Sequence, residues 1–295
     1  MTKVVRRFIV GWDSSPAATA ALDWALEAAT DTHSRVHIVH AVLAVPPAPY
    51  SEVSLDQGVY DDIANAVIAL GVDRAEERAP LVPVTSERMY RGVSGALLDS
   101  ATEGDVIVIG SRSHGGFAGL LVGSTAVQVS THSPVPVVVL HAPGTRKRPF
   151  NPDGPIVVGI DGTDVSTEAL AFAMLLGAQL EARVEVAHTW TLPAVELVPP
   201  NLISDSEVAA IAADQSRLTA ESVAGWRTEF PEVSMSTDVI QGVPPAVLLE
   251  RSEHARLIVV GSRGRGEFRG AILGSTSNAL LHEAGCPVAV VRHQP

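Results

Sequence analysis

Short unbroken apolar runs alternate along this chain with longer stretches of helical periodicity. The run Phe8-Ile-Val within Arg7 to Gly11 has no polar alternation, the pattern of a strand buried on both faces of a sheet. A helix is expected from about Pro16 to Thr30, with Ser14 or Ser15 as N-cap and Pro16 suited to the first turn. Val36 to Val42 reads as the second strand. Beyond a proline-rich turn at Pro46 to Pro49, helical spacing covers about Asp56 to Arg78, and a third strand lies near Val82 to Arg91, ended by Gly92. Ser94 to Thr102 make a short helix, Asp105 to Gly110 the fourth strand, Thr125 to Thr131 part of a helix, and Pro136 to Leu140 the last strand. Strands alternating with helices predict an α/β fold with parallel pairing and right-handed crossovers.

The pattern then repeats. Phe8-Ile-Val-Gly-Trp-Asp13 matches Ile156-Val-Val-Gly-Ile-Asp161, and Arg35-Val-His-Ile-Val-His40 matches Arg183-Val-Glu-Val-Ala-His188, both at an offset of 148. Ile107-Val-Ile-Gly-Ser-Arg112 matches Ile258-Val-Val-Gly-Ser-Arg263 at an offset of 151. From Val106 to His141, 14 of 36 aligned positions are identical, which shared composition alone does not give and which points to duplication. Between the copies, a segment rich in proline, glycine and charge reads as a linker, with Arg146-Lys147-Arg148 as a solvated basic run. The expected organisation is residues 1–142, a linker at 143–154, and residues 155–295.

Composition narrows the partners. The net charge of −12 disfavours nucleic acid, and 46% hydrophobic residues with only 4% aromatic give an aliphatic core rather than a disordered chain. The apolar stretch behind Lys3, Arg6 and Arg7 is too short for a signal core, and no run of about eighteen apolar residues suggests a membrane span. Cys286, the single cysteine, reads as a small buried hydrophobe and fits a reducing cytosol. A cytoplasmic protein is expected.

The chemistry is concentrated behind the fourth strand of the second copy. Gly261-Ser-Arg-Gly264, nine residues, then Gly274-Ser275-Thr276 is a loop in which glycine lets backbone N–H groups approach a phosphate and permits positive φ. Ser275 and Thr276 open a helix whose first amides favour an anion. Arg263, Arg265 and Arg269 against Glu267 leave a local excess of two positive charges, suited to a triphosphate. The Walker lysine is missing and no G-x-G-x-x-G follows the first strand, which disfavours hydride transfer.

This glycine loop behind the strand Leu257-Ile-Val-Val-Gly261, an aspartate closing the first strand and a histidine closing the second together resemble the universal stress protein family in its ATP-binding branch. The resemblance covers nearly the whole chain as two tandem domains. It implies, for each, a Rossmann-like (adenine nucleotide alpha hydrolase-like) fold, a five-stranded parallel sheet flanked by helices. It also implies that Asp161 lies on the nucleoside side of the ligand, beside Gly159, and that Thr189 presents its backbone to adenine. Val260 packs on the nucleoside, while Gly261, Gly264, Gly274, Ser275 and Thr276 hold ribose and phosphates. The first-copy equivalents are Gly11, Asp13, Ala41, Ile109, Gly110, Ser113, Gly123, Ser124 and Thr125. Ser113 in place of the second glycine predicts a weaker first site, through bulk and through any left-handed geometry there. Asp13 and Asp161 also admit a plainer role as helix N-caps.

No nucleophile or metal site stands out. His40 and His188 recur in register, but strand-end histidines bonded to neighbouring backbone explain them; His37 and His40, three apart on a strand, face opposite sides. There is no H-E-x-x-H, no G-x-S-x-G and no carboxylate cluster for a dedicated metal, although magnesium can accompany ATP. The expected protein is an ATP-binding universal stress protein, a nucleotide-dependent regulator of stress response or growth and not an efficient enzyme. The alternatives are an interaction scaffold that binds no nucleotide, or a slow ATPase. Apolar last strands, Pro136 to Leu140 and Pro287 to Val291, predict an intramolecular pseudo-dimer, and a homodimer and a regulatory protein partner are further expectations.

Overall fold

The computed structural model describes residues 4–42, 57–111, 122–141, 151–192, 204–264 and 273–293. Contacts divide the chain into two compact units, Met1–Lys147 and Arg148–Pro295. In the first, β1 (Arg7–Gly11), α1 (Pro16–Thr32), β2 (Arg35–Ala41), α2 (Gln57–Arg78), β3 (Val84–Met89), α3 (Val93–Ser100), β4 (Asp105–Gly110), α4 (Ser124–His132) and β5 (Val137–Leu140) follow in order. The second repeats the series as β6 (Ile156–Ile160), α5 (Asp164–Gln179), β7 (Val184–Trp190), α6 (Asp205–Glu229), β8 (Met235–Gln241), α7 (Pro244–Ser252), β9 (Leu257–Gly261), α8 (Ser275–Glu283) and β10 (Val288–Val291). Each unit holds one five-stranded parallel sheet, ordered β3-β2-β1-β4-β5 in the first and β8-β7-β6-β9-β10 in the second.

The central strands are aliphatic because both faces are covered. Phe8, Ile9, Val10, Ile107 and Val108 are fully buried, as are Ile156, Val158, Ile258 and Val259. At about 25 cal/mol per Å² of apolar surface, runs of this kind supply the main favourable contribution to each fold. Phe8 meets Trp24 of α1 edge to face at 5.9 Å, a geometry favoured by the ring quadrupoles. Arg7 and Asp105, paired across β1 and β4, form a two-pronged ion pair at 2.6 and 3.1 Å; the next pair, Phe8 and Val106, has Ile156 and Leu257 as its counterpart in the second unit.

Element types agree with the sequence expectation, and the differences are at ends. α1 continues to Thr32 because His33 adopts a left-handed conformation, φ 53°, and its N–H reaches Ala29 and Thr30. A non-glycine residue in that conformation gives no sequence signal. Of the two serines offered as cap, Ser15 takes the role, accepting from the Ala18 N–H at 3.1 Å. The proline-rich turn at 46–49 and residues 143–150 of the expected linker lie outside the described residues.

In both sheets chain order reverses between the first and fourth strands. Such a switch point opens a crevice at the strand carboxyl ends, where the singled-out aspartates and glycines converge.

Candidate functional site

In the second unit the site starts at the end of β6. Asp161 leaves the strand, Gly162 turns the chain at φ 78°, and Thr163 caps α5 by accepting from the Ser166 N–H at 3.2 Å. The same Thr163 hydroxyl donates to Asp161 Oδ1 at 2.6 Å, and the Thr163 N–H donates to that oxygen at 3.1 Å. Asp161 is therefore not itself the N-cap, and neither is Asp13, whose Oδ1 accepts from the Ser15 N–H at 3.0 Å. The plainer capping role falls to the residue two positions later, and each aspartate braces that residue.

The neighbouring strand β9 ends at Gly261. A Cβ there would lie 2.7 Å from the Val165 side chain, so this glycine lets the strand end pass the first turn of α5. Gly264 serves a different contact, because a Cβ on it would stand 2.7 Å from Asp161 Oδ2. Its φ is not in the left-handed region, which Gly104 and Gly162 alone occupy among the described glycines. The freedom of positive φ that glycine permits is therefore not used at Gly264, which is small because a pinned carboxylate faces it.

The loop closes where the Gly274 N–H donates to the Ser262 carbonyl at 2.9 Å and the Ser277 hydroxyl donates to the Gly261 carbonyl at 2.7 Å. Helix α8 begins with Gly274 as N-cap and no side-chain acceptor on its first amides. α1, α5 and α6 begin instead with Ser15, Thr163 and Ser204 accepting such amides. Backbone N–H groups left without a side-chain oxygen at a helix start are anion donors.

Between these parts lies a cavity of about 470 Å³, within the roughly 300–1,000 Å³ typical of small-molecule sites. All nine residues singled out in the second copy line it: Gly159, Asp161, Thr189, Val260, Gly261, Gly264, Gly274, Ser275 and Thr276. Sequence reasoning missed Trp190, Gln215, Pro244 and Leu248. Pro244 and Leu248 come from α7, and Leu248 abuts Gly159, where a Cβ would lie 2.8 Å from it. His188 also lines the cavity, and its ring is fixed at both nitrogens: Nδ1 is 3.1 Å from the Ile160 carbonyl and Nε2 is 2.8 Å from Gln215 Oε1. Arg263 stands at the loop entrance; Arg265, Glu267 and Arg269 lie outside the described residues. Also among the described residues, no group of three His, Cys, Asp or Glu side chains could hold a metal ion.

The first unit repeats the scaffold with other side chains. Ser14 takes the turn of Gly162 at φ 59°, and the Gly123 N–H closes the loop onto the Ser111 carbonyl at 2.5 Å. Gly11, Asp13, Ala41, Ile109, Gly110, Gly123, Ser124 and Thr125 occupy the equivalent places on β1, β2, β4 and α4 or directly at their ends, whereas Ser113 lies outside the described residues. A Cβ on Gly110 would lie 2.5 Å from the Ala17 backbone, so this glycine serves packing on α1. Trp12 replaces Ile160. Its buried indole donates to the Val67 carbonyl at 2.7 Å, lies against Gly71, and its own carbonyl meets His40 Nδ1 at 2.7 Å.

Comparison with known proteins settles the family. The sequence model of the universal stress protein family matches twice, at residues 5–141 and 154–292. The chain belongs to the universal stress protein family. Universal stress protein Rv2005c of Mycobacterium tuberculosis is 34% identical over 302 residues, covering 96% of each chain. Universal stress protein Rv2623 of the same organism is 32% identical over 290 residues, covering 96% of this chain and 95% of its own. Among solved structures, a universal stress protein from Archaeoglobus fulgidus superimposes with a TM-score of 0.70 at 17% identity, covering 98% of this chain and 99% of the other. The α/β fold is thus shared with that structure, and the two curated relatives match over nearly the whole tandem chain. No helix among the described residues is long and apolar enough to cross a membrane.

Proposed function

We propose that the cavity of the second domain binds ATP and that this universal stress protein is a nucleotide-dependent regulator of stress response or growth rather than an enzyme. The observation that carries the reading is the meeting of Asp161 with Gly264 beside a helix start lacking a side-chain cap. A carboxylate accepts from ribose hydroxyls, while the amides at Ser275 and Thr276 and the Arg263 guanidinium donate to phosphate. Val260 and Leu248 offer apolar surface to a base, beside the backbone of Thr189. Magnesium would travel with the phosphates. His188, engaged at both ring nitrogens, is occupied as a structural group and not poised as a general base. The lone buried thiol of Cys286 is in keeping with a reducing cytosol.

The test is mass spectrometry of small molecules released on denaturing freshly purified protein, alongside melting with millimolar ATP and magnesium. Adenine nucleotide in the released fraction, or a clear rise in melting temperature, is expected; a ligand at a hundredfold excess over Kd stabilises by about 2.7 kcal/mol. Protein that releases no nucleotide and melts unchanged would be an interaction scaffold.

A further inference from the structure

Helix α2 carries apolar side chains on the face it turns to water. Val59, Ile63 and Leu70 are 41%, 54% and 58% exposed, and Ala66 between them is exposed as well. Their spacing of i, i+4, i+7 and i+11 is that of one helical stripe, about 16 Å long at 1.5 Å per residue. It is not the stripe that packs inward, because the buried residues of α2 are Ala64, Gly71 and Ala75. Large apolar side chains exposed singly need no explanation, whereas an apolar stripe rimmed by charge marks an interaction surface.

The open charge on the rim has one sign. Asp62, Asp73 and Glu76 are exposed along one edge of the stripe and take part in no ion pair among the described residues. On the other edge Arg74 donates to both carboxylate oxygens of Asp23 at 2.6 Å, and Arg78 lies 3.4 Å from Asp23 and from Glu27. Those two positive charges are thus neutralised by α1. The second domain has closed the same face. Buried Gly71 and Ala75 match buried Thr219 and Val223 of α6 at the offset of 148, which puts Val67 at the place of Gln215. The same offset puts Val59, Ala66 and Ala69 at the places of Glu207, Asp214 and Arg217. There Arg217 pairs with Asp214 at 3.8 Å and with Glu221 at 2.9 Å, so paired charge covers what α2 leaves apolar.

We infer that the outer face of α2 docks a basic amphipathic helix of a partner protein. The apolar side of such a helix covers Val59, Ile63 and Leu70, and its lysines or arginines meet the open carboxylates of Asp62, Asp73 and Glu76. A second copy packed antiparallel on the same face would set the two acidic edges against each other, and like charges so placed repel.

The probe is a fluorescein-labelled synthetic helix of about eighteen residues, leucine on one face and lysine on the other, titrated with the full chain and followed by anisotropy at low salt. It should bind saturably, and a counterpart with glutamate for lysine should bind at least about tenfold more weakly. Ile63→Ser/Leu70→Ser, which exchanges only exposed side chains, should weaken binding of the lysine helix at least about tenfold. Asp62→Asn/Asp73→Asn/Glu76→Gln should weaken it about threefold and flatten its salt dependence. Leu218→Ser on α6 should leave it unchanged, and melting temperatures establish that each variant folds. No saturable binding, equal binding of the glutamate helix, or undiminished binding by Ile63→Ser/Leu70→Ser overturns the assignment. So does a mass by light scattering that doubles with concentration in the wild type and not in Ile63→Ser/Leu70→Ser, since a second copy would then be the occupant.

Discussion

At the scale of single residues, the two halves differ at the turn after the first strand. Ser14 sits at φ 59° where the second domain has Gly162 at φ 78°. A side chain in the left-handed region costs roughly 1–2 kcal/mol, partly offset by the extra chain entropy that glycine loses on folding, about 0.5–1 kcal/mol. Ser14→Gly should therefore stabilise the protein by up to about 1 kcal/mol, and Gly162→Ser should destabilise it by a similar amount, both read from denaturant midpoints. Gly264 is the more consequential position for the ligand. The Asp161 carboxylate that a Cβ would strike is tied down by the Thr163 hydroxyl and N–H, so it cannot swing aside cheaply. Gly264→Val should remove the ATP-dependent rise in melting temperature and also lower the melting temperature of the ligand-free protein, through the clash with the pinned carboxylate. A variant that keeps the full rise would show that the loop and the carboxylate do not act together.

At the scale of elements, the sequence anticipated every strand and helix type, because buried parallel strands and amphipathic helices write different periods into the chain. Helix ends were less legible, as His33 shows, since tertiary contacts rather than propensity set the stop. The site divides the same way. Glycine and aspartate positions were readable from spacing, because they are tied to strand ends that the apolar runs locate. Gln215, Pro244 and Leu248 were not, because the phase of α6 and α7 against the sheet decides which of their side chains reach the cavity. Helix α6 also carries a titratable start: the Ser204 N–H and hydroxyl both donate to Glu207, and Ser204 accepts from the Glu207 N–H. These bonds hold the Glu207 carboxyl below its ordinary value. A depressed folded value means the contribution is present above the unfolded value and lost as pH falls through the folded one. Protection factors of the first-turn amides of α6, exchange corrected for its intrinsic pH dependence, should therefore fall below about pH 4.3, and Glu207→Gln should weaken that dependence.

At the scale of the whole molecule, one ancestral unit has been used twice and then diverged at the residues that would touch a ligand. The shared scaffold comprises the switch point, the brace from aspartate to cap and the closed loop base. The divergence comprises Trp12 against Ile160, Val67 against Gln215, and Ser113 against Gly264, the serine and the rest of its loop lying outside the described residues. A net charge of −12 repels a polyanion over the surface at large, which makes local donors at α8 and Arg263 the decisive ones for a triphosphate. The nucleotide reading therefore predicts unequal sites, the second the stronger. Isothermal calorimetry of magnesium-ATP binding to the full chain and to its Asp161→Ala and Asp13→Ala variants tests this most directly. Asp161→Ala should lose most of the high-affinity heat and Asp13→Ala should lose less; equal losses, the reverse order, or no saturable binding by the wild type would contradict it.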